Sequence, residues 1–246
     1  MKNNKIIILF PDLEGKGVSG KFGKSLSKLY PSIPKISILN GKNVEKLKEI
    51  AEEFSSSFEP IIVKQVGIVN SLITGYEYVI KKYPKSIIIR LDIEEHPIEY
   101  IPKLVKEAKK NNCMVVGDLT FSKNQLIKNS ADEIANLDIF PVMYSQFTNN
   151  KVSLTCSHGF QAFSASQCKK ILKKAKIIIA NAEKERPLEW GLDGSMVLSA
   201  VSLNIPVKII NVPACKIRNR DRKKIATQFR DDLRVCRTAN KFFKLK

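Results

Sequence analysis

Short runs of consecutive aliphatic residues alternate, through the first half of this chain, with longer stretches in which apolar residues return every three or four positions. The runs at 6–10, 35–39, 60–66, 86–91 and 114–117 are short and almost uniformly apolar, which predicts strands covered on both faces. Between them, 44–54, 68–83 and 98–110 predict helices. In the first of these Val44, Leu47, Ile50, Ala51 and Phe54 keep helical spacing and form a core-facing stripe. Strands and helices in alternation are the pattern of an α/β fold, a mostly parallel sheet with crossover helices.

From 118 to 155 the pattern loosens, and polar turns around Asn124, Asn129 and Asn149 predict loops or a small antiparallel excursion. Helical character returns at 166–174, the run at 177–180 reads as a strand, and a helix at 194–203 precedes a strand at 207–212. Between 216 and 246 twelve Lys or Arg stand against three Asp, half of the net positive charge of the chain. Ile225, Phe229, Leu233 and Cys236 fall at helical intervals there, predicting a basic amphipathic helix. With no repeat and no low-complexity linker, the organisation expected is one α/β domain over 1–215, extended by 216–246.

Composition narrows the class. The chain has 246 residues, 43% hydrophobic and 27% charged, as in a globular protein and unlike a disordered one. Its net charge of +18 draws polyanions: nucleic acid, anionic lipid headgroups or phosphorylated small molecules. Five scattered cysteines without a C-x-x-C pair exclude a disulfide framework and a cysteine zinc site, and indicate reduced thiols in the cytoplasm. Two histidines, His96 and His158, exclude a histidine-rich metal site. No apolar stretch reaches the roughly 20 residues that span a bilayer, so membrane contact is expected only as a peripheral association.

The strand at 86–91 runs into Asp92-Ile93-Glu94-Glu95-His96-Pro97, and Pro97 ends it. Carboxylates at the carboxyl end of a strand in an open α/β sheet lie where such folds bind ligands, and they are the hard oxygen ligands that Mg or Mn takes beside phosphate. The alternative is a solvated acidic turn leading into a helix, with His96 orienting the turn.

The segment Leu91 to Pro102 resembles the metal-binding signature of the family-two inverting glycosyltransferases, closest to the polyprenyl-phosphate (dolichol-phosphate) mannosyltransferases. It keeps Asp92, His96-Pro97 and Glu99-Tyr100-Ile101-Pro102, with Glu94 where the family has a second Asp. Ile6-Ile-Ile-Leu-Phe-Pro11-Asp12-Leu13-Glu14 is similar to the first strand and base-cradling loop, with Leu13 in place of the usual Asn. Ser37-Ile-Leu-Asn40-Gly41 resembles the second strand, where Asn40 replaces an acidic pair. Ser157-His158-Gly159-Phe160-Gln-Ala-Phe163 resembles the segment lining the sugar and acceptor site. Trp190-Gly-Leu-Asp193 and Ile205 to Pro213 resemble the acidic motif and the Val-Pro strand.

The resemblance implies a GT-A-like nucleotide-diphospho-sugar transferase fold that moves a hexose with inversion, using Mg or Mn held by Asp92 and Glu94. It implies a nucleotide-sugar site at Pro11, Asp12, Glu14, Asn40 and Asp92, and an acceptor site at His158, Gly159, Phe160 and Trp190. Arg218, Arg220 and Arg222 would meet phosphate. Asp193 is the implied general base for a hydroxyl acceptor, whereas a polyprenyl phosphate is already ionised. Other readings stand beside these: Asp193 as N-cap of a helix starting at Gly194, and Trp190 as a core anchor. The substitutions at 13, 40 and 94 and the excess charge support a second class of function, a degenerate transferase fold that binds anionic partners. Nucleic acid is the weaker of these, because the basic tail carries no reading motif.

Overall fold

The computed structural model describes residues 5–64, 67–93, 96–122, 131–154 (side chains from 138 onward), 159–215 and 222–244. One seven-stranded sheet organises them: β1 (Ile6–Leu13), β2 (Lys35–Gly41), β3 (Glu59–Lys64), β4 (Ile87–Arg90), β5 (Met114–Thr120), β6 (Phe160–Ser164) and β7 (Val207–Pro213), in the order β3-β2-β1-β4-β6-β5-β7. All neighbours are parallel except β6, which runs antiparallel to both β4 and β5. The chain winds outward from β1 to β3 and then returns to the other side of β1 as β4. The switch point where ligands bind in such sheets therefore lies beyond the carboxyl ends of β1 and β4.

Helices cover both faces, which is why the strands are aliphatic throughout. In β1, Ile7 and Leu9 enter one core while Ile8 and Phe10 enter the other, and β4 divides in the same way, Ile88 against Ile87 and Ile89. The second core takes α1 (Lys16–Ser19), α2 (Lys21–Leu29), α3 (Val44–Glu53) and α5 (Ile101–Asn111) through Val18, Phe22, Leu47 and Leu104. The first core takes α4 (Ile68–Lys82), α6 (Ala131–Phe147), α7 (Ala165–Ala182), α8 (Leu192–Ser202) and α9 (Arg222–Phe243).

Three expectations are corrected. The run at 177–180 is the last part of α7: Cys168, Ile171, Leu172, Ala175, Ile178, Ile179 and Ala182 are buried at helical spacing and Ile177 faces out, so the 3.6-residue period extends through the isoleucines. A capping box starts this helix, with Ser164 Oγ accepting from the Gln167 amide and Gln167 Oε1 accepting from the Ser164 amide. Within the loosely patterned middle lies a 17-residue helix, α6, hidden by its internal Pro141 and by exposed Ile139 and Val142, which blur its apolar stripe. The predicted helix at 194–203 begins at Leu192. Its N-cap is Gly191 at φ +105°, so Asp193 lies in the first turn and does not cap it.

The basic C-terminal segment packs α9 against α6, α7 and α8, burying Ile225, Val235, Cys236 and Ala239 while Lys223, Lys224, Arg230, Arg237 and Lys241 face out. No helix among the described residues is long and apolar enough to cross a membrane.

Candidate functional site at the sheet switch point

Two constructions meet at the switch point. The first is a cleft of about 560 Å³ lined by Pro11, Asp12, Leu13 and Glu14 at the end of β1, Asn40, Gly41 and Lys42 at the end of β2, and Gly67, Ile68 and Ser71 at the start of α4. Four of the five residues expected to bind the nucleotide sugar therefore share one cavity. Asp12 does so from behind: its side chain is fully buried, and its carboxylate accepts from the Gly17 amide at 2.7 Å, the Val18 amide at 2.9 Å and Ser37 Oγ at 3.3 Å. It fixes the loop instead of presenting oxygens to a ligand. Burial raises its pKa, and the two amides and Ser37 pull it back.

Glu14 sits at φ +56° and donates its amide to the Asn40 carbonyl at 2.9 Å, joining the two loops across the cleft floor. Asn40 Nδ2 donates to Ser71 Oγ at 2.8 Å, and that hydroxyl donates to the Gly67 carbonyl at 3.2 Å, which ties the cleft to the first turn of α4. Leu13 projects at the mouth with 61% of its surface exposed.

The second construction is ionic. Arg90, the last residue of β4, is 2% exposed and lies between two carboxylates: Nη1 is 2.7 Å from Asp92 Oδ1 and Nη2 is 2.9 Å from Asp193 Oδ2. Nη1 also donates to the Gly159 carbonyl at 3.0 Å. A Cβ at position 159, just before β6, would lie 2.6 Å from Asp92 Oδ2 and against Arg90 Nη1, so a side chain there would push into the ion cluster. The two constructions touch through Ile93, against which a Cβ on Gly17 would press while lying 3.1 Å from Asp12 Cγ.

Burial raises the pKa of Asp193 and the nearby Asp92 adds to it, while Arg90 opposes both, leaving it at about 7. Burial works against the charge on Arg90, but Asp193 and Asp92 hold its pKa above the ordinary value. Asp193 Oδ1 and the hydroxyl of fully buried Tyr76 have no hydrogen-bond partner among the described residues. A carboxylate with one oxygen fixed on a guanidinium and a pKa near neutrality has the properties of a general base.

The acidic turn is held by His96, whose Nδ1 accepts from the Asp92 amide at 2.7 Å while its ring stacks on Phe160 with centroids 5.0 Å apart. The imidazole is 2% exposed and Phe160 is fully buried, so both shape the turn. Phe160, expected at the sugar site, supports it from the core. Trp190 is half-buried, and its loop hangs from α9: the Glu189 and Trp190 amides donate to Asp231 Oδ2 at 3.0 and 3.3 Å, and Arg186 and Arg234 bracket Oδ1. Arg222 is exposed at the start of α9. Glu94, His158, Arg218 and Arg220 lie outside the described residues.

Pattern reading passed over Arg90 and Asp231. The signal for Arg90 was present: one arginine inside an otherwise aliphatic strand must find anions in the fold. Asp231 and Asp232 sit inside a basic helix, where they look like surface charges.

A divalent cation between Asp92 and Asp193 is disfavoured by this arrangement. Among the described residues no group of three His, Cys, Asp or Glu side chains could hold one, and the space shared by Asp92 and Asp193 contains the Arg90 guanidinium. Like unit charges about 4 Å apart repel by about 4 kcal/mol at an effective dielectric of about 20, and a divalent ion doubles that.

No family model and no curated protein matches the chain by sequence. Solved structures do match by shape. Glucosyl-3-phosphoglycerate synthase from Mycobacterium tuberculosis, in complex with Mn2+, uridine diphosphate and phosphoglyceric acid, is 14% identical with a TM-score of 0.61, over 95% of this chain and 79% of that one. Mannosyl-3-phosphoglycerate synthase from Rubrobacter xylanophilus is 8% identical with a TM-score of 0.56, over 97% of this chain and 74% of that one. The likeness shows the fold: a mixed α/β, GT-A-like architecture shared with these two synthases.

Proposed function

We propose that the chain is a glycosyltransferase that moves a hexose from a nucleotide-diphospho-sugar to an acceptor with inversion. The observation that carries this reading is the cleft at the carboxyl ends of β1 and β2, together with a near-neutral carboxylate, Asp193, paired to the last residue of the adjacent strand β4. The nucleoside would lie against Pro11, Glu14 and Asn40, with Asp12 holding the loop from below. Its diphosphate would point toward Asp92, and the sugar toward Gly159, His158 and Trp190. Asp193 would take the proton of a hydroxyl acceptor, oriented by Arg90, which holds Oδ2. A polyprenyl phosphate at a membrane surface is the acceptor that the resemblance favours, and the exposed lysines and arginines of α9 support it. Arg222, together with Arg218 and Arg220, would meet the phosphates. Mg or Mn would be held by Asp92 and Glu94; Glu94 lies outside the described residues, and Asp92 Oδ1 is already engaged by Arg90.

The test is a panel of nucleotide sugars and nucleoside diphosphates, followed by thermal shift and by transfer or hydrolysis. Stabilisation by one nucleotide and turnover of its sugar are expected; no donor binding at millimolar concentration overturns the reading. A second reading, a binding module for anionic partners, is favoured by the closure of Asp92 and Asp193 on Arg90. It predicts binding to anionic vesicles or nucleic acid without donor affinity, with a steep salt dependence.

A further inference from the structure

We propose that Arg90 is the built-in cation of this site: its guanidinium fills the space between Asp92 and Asp193, and the site works without a bound metal. Three oxygens converge on this one side chain, Asp92 Oδ1 at 2.7 Å, Asp193 Oδ2 at 2.9 Å and the Gly159 carbonyl at 3.0 Å. Two carboxylates and a carbonyl are the hard donors that Mg or Mn selects. Here they are taken by Nη1 and Nη2 of a guanidinium that carries a permanent positive charge.

The position is not one from which the guanidinium can withdraw. Arg90 is 2% exposed, its backbone is held in register with Leu9 of β1 and Gln161 of β6, and Gly159 packs against the guanidinium and the second oxygen of Asp92. His96 fixes the Asp92 amide from the other side, so the carboxylate cannot swing out without opening the turn. An ion entering between the carboxylates would have to displace a charged side chain that is 2% exposed. Arg90 is therefore a positioning residue, which sets the orientation of both carboxylates and the charge of the site.

The experiment begins with Mn2+ alone, so its first arm does not depend on the proposed transferase activity. Mn2+ is titrated into the full-length protein and followed by electron paramagnetic resonance and thermal shift. The wild type is expected to leave the ion free into the millimolar range. Saturable binding that is lost in Asp92→Asn or in Glu94→Gln overturns the proposal. In Arg90→Ala the three oxygens are released into a cavity, so this variant is expected to gain Mn2+ binding at least about tenfold tighter than wild type and to be stabilised by the ion. Arg90→Lys, which keeps the charge, is expected to gain none. A folded Arg90→Ala that gains no affinity also overturns it, and if that variant does not fold, the wild-type titration still decides. The second arm rests on the functional reading: affinity for nucleoside diphosphates in EDTA and in Mn2+ is expected to agree within about twofold. Tenfold tighter binding in Mn2+ overturns metal independence, whereas no diphosphate binding in either buffer defeats the transferase reading and leaves the first arm intact.

Discussion

The cleft between β1 and β2 and the ionic cluster at the end of β4 are neighbours built on opposite rules. The cleft is open, and its polar groups are spent on shaping loops: Asp12 on two amides, Asn40 on Ser71, Glu14 on the Asn40 carbonyl. In the cluster the charged groups are spent on one another, around an arginine with almost no exposed surface. The difference teaches which region is open to change and which is held rigid. A cleft with an exposed leucine at its mouth can change its ligand preference at little cost in stability. A buried ion cluster cannot lose a member without leaving a charge uncompensated.

The largest effect is expected from Arg90→Met, which leaves Asp92 and Asp193 facing each other without a cation. Chemical denaturation should show a loss of about 3–5 kcal/mol; a loss below about 1 kcal/mol would place the cluster among ordinary surface pairs. Next, Asp231→Ala removes the acceptor of two amides and the partner of Arg186 and Arg234, and should cost about 2 kcal/mol. Because Trp190 is the single tryptophan, its fluorescence reports the loop directly, and an unchanged spectrum would show that α9 does not hold it.

A smaller effect is expected from pH. Asp193 rises from an ordinary 3.8 to about 7 in the folded protein, chiefly through burial, so between those values the folded state holds more protons than the unfolded one. The contribution of this group is full below about 4 and is lost as pH rises through about 7. Asp193→Asn should flatten the pH dependence of the melting temperature in that window. For a hydroxyl acceptor, kcat/KM should climb with pH through about 7 as the base ionises; a flat profile would point to an acceptor that is already ionised. The smallest change is expected on the open side of the comparison. Ser71→Ala removes the acceptor of the Asn40 amide and should cost about 1 kcal/mol of stability. Its main readout is a shift in nucleotide preference, and a stability loss as large as that of Arg90→Met would erase the contrast between the two regions.

Much of the fold was legible because burial on both faces writes itself as runs of aliphatic residues. Every strand from β1 to β5 and β7 stands where an apolar run predicts it, differing at the ends by a few residues. The missed elements each lacked that signature. In α6 the internal proline and outward apolar residues mask the period, and β6 is only five residues long, in a stretch where no strand is predicted. The isoleucines at 177–179 look like a strand until the seven preceding positions supply the helical phase. On the site side, the cleft residues could be read because they lie at strand ends: Pro11 to Glu14 at the end of β1, Asn40 at the end of β2. Asp12 and Phe160 were legible as members of the region but not as supports within it, since only depth in the fold separates the two.

The sequence by itself determined the alternation of elements, the positive charge, and the placement of acidic and polar residues at the strand ends, all of which depend on neighbours within a few positions. The tertiary structure alone decided who meets whom. Arg90 pairs with a residue 103 positions away, and Asp231 holds a loop 41 positions before it. Residue type cannot encode such pairings, because a buried arginine requires an anion without specifying which one. The sheet order, by bringing the end of β4 beside the start of β6 and the first turn of α8, made Asp92 and Asp193 partners of one guanidinium.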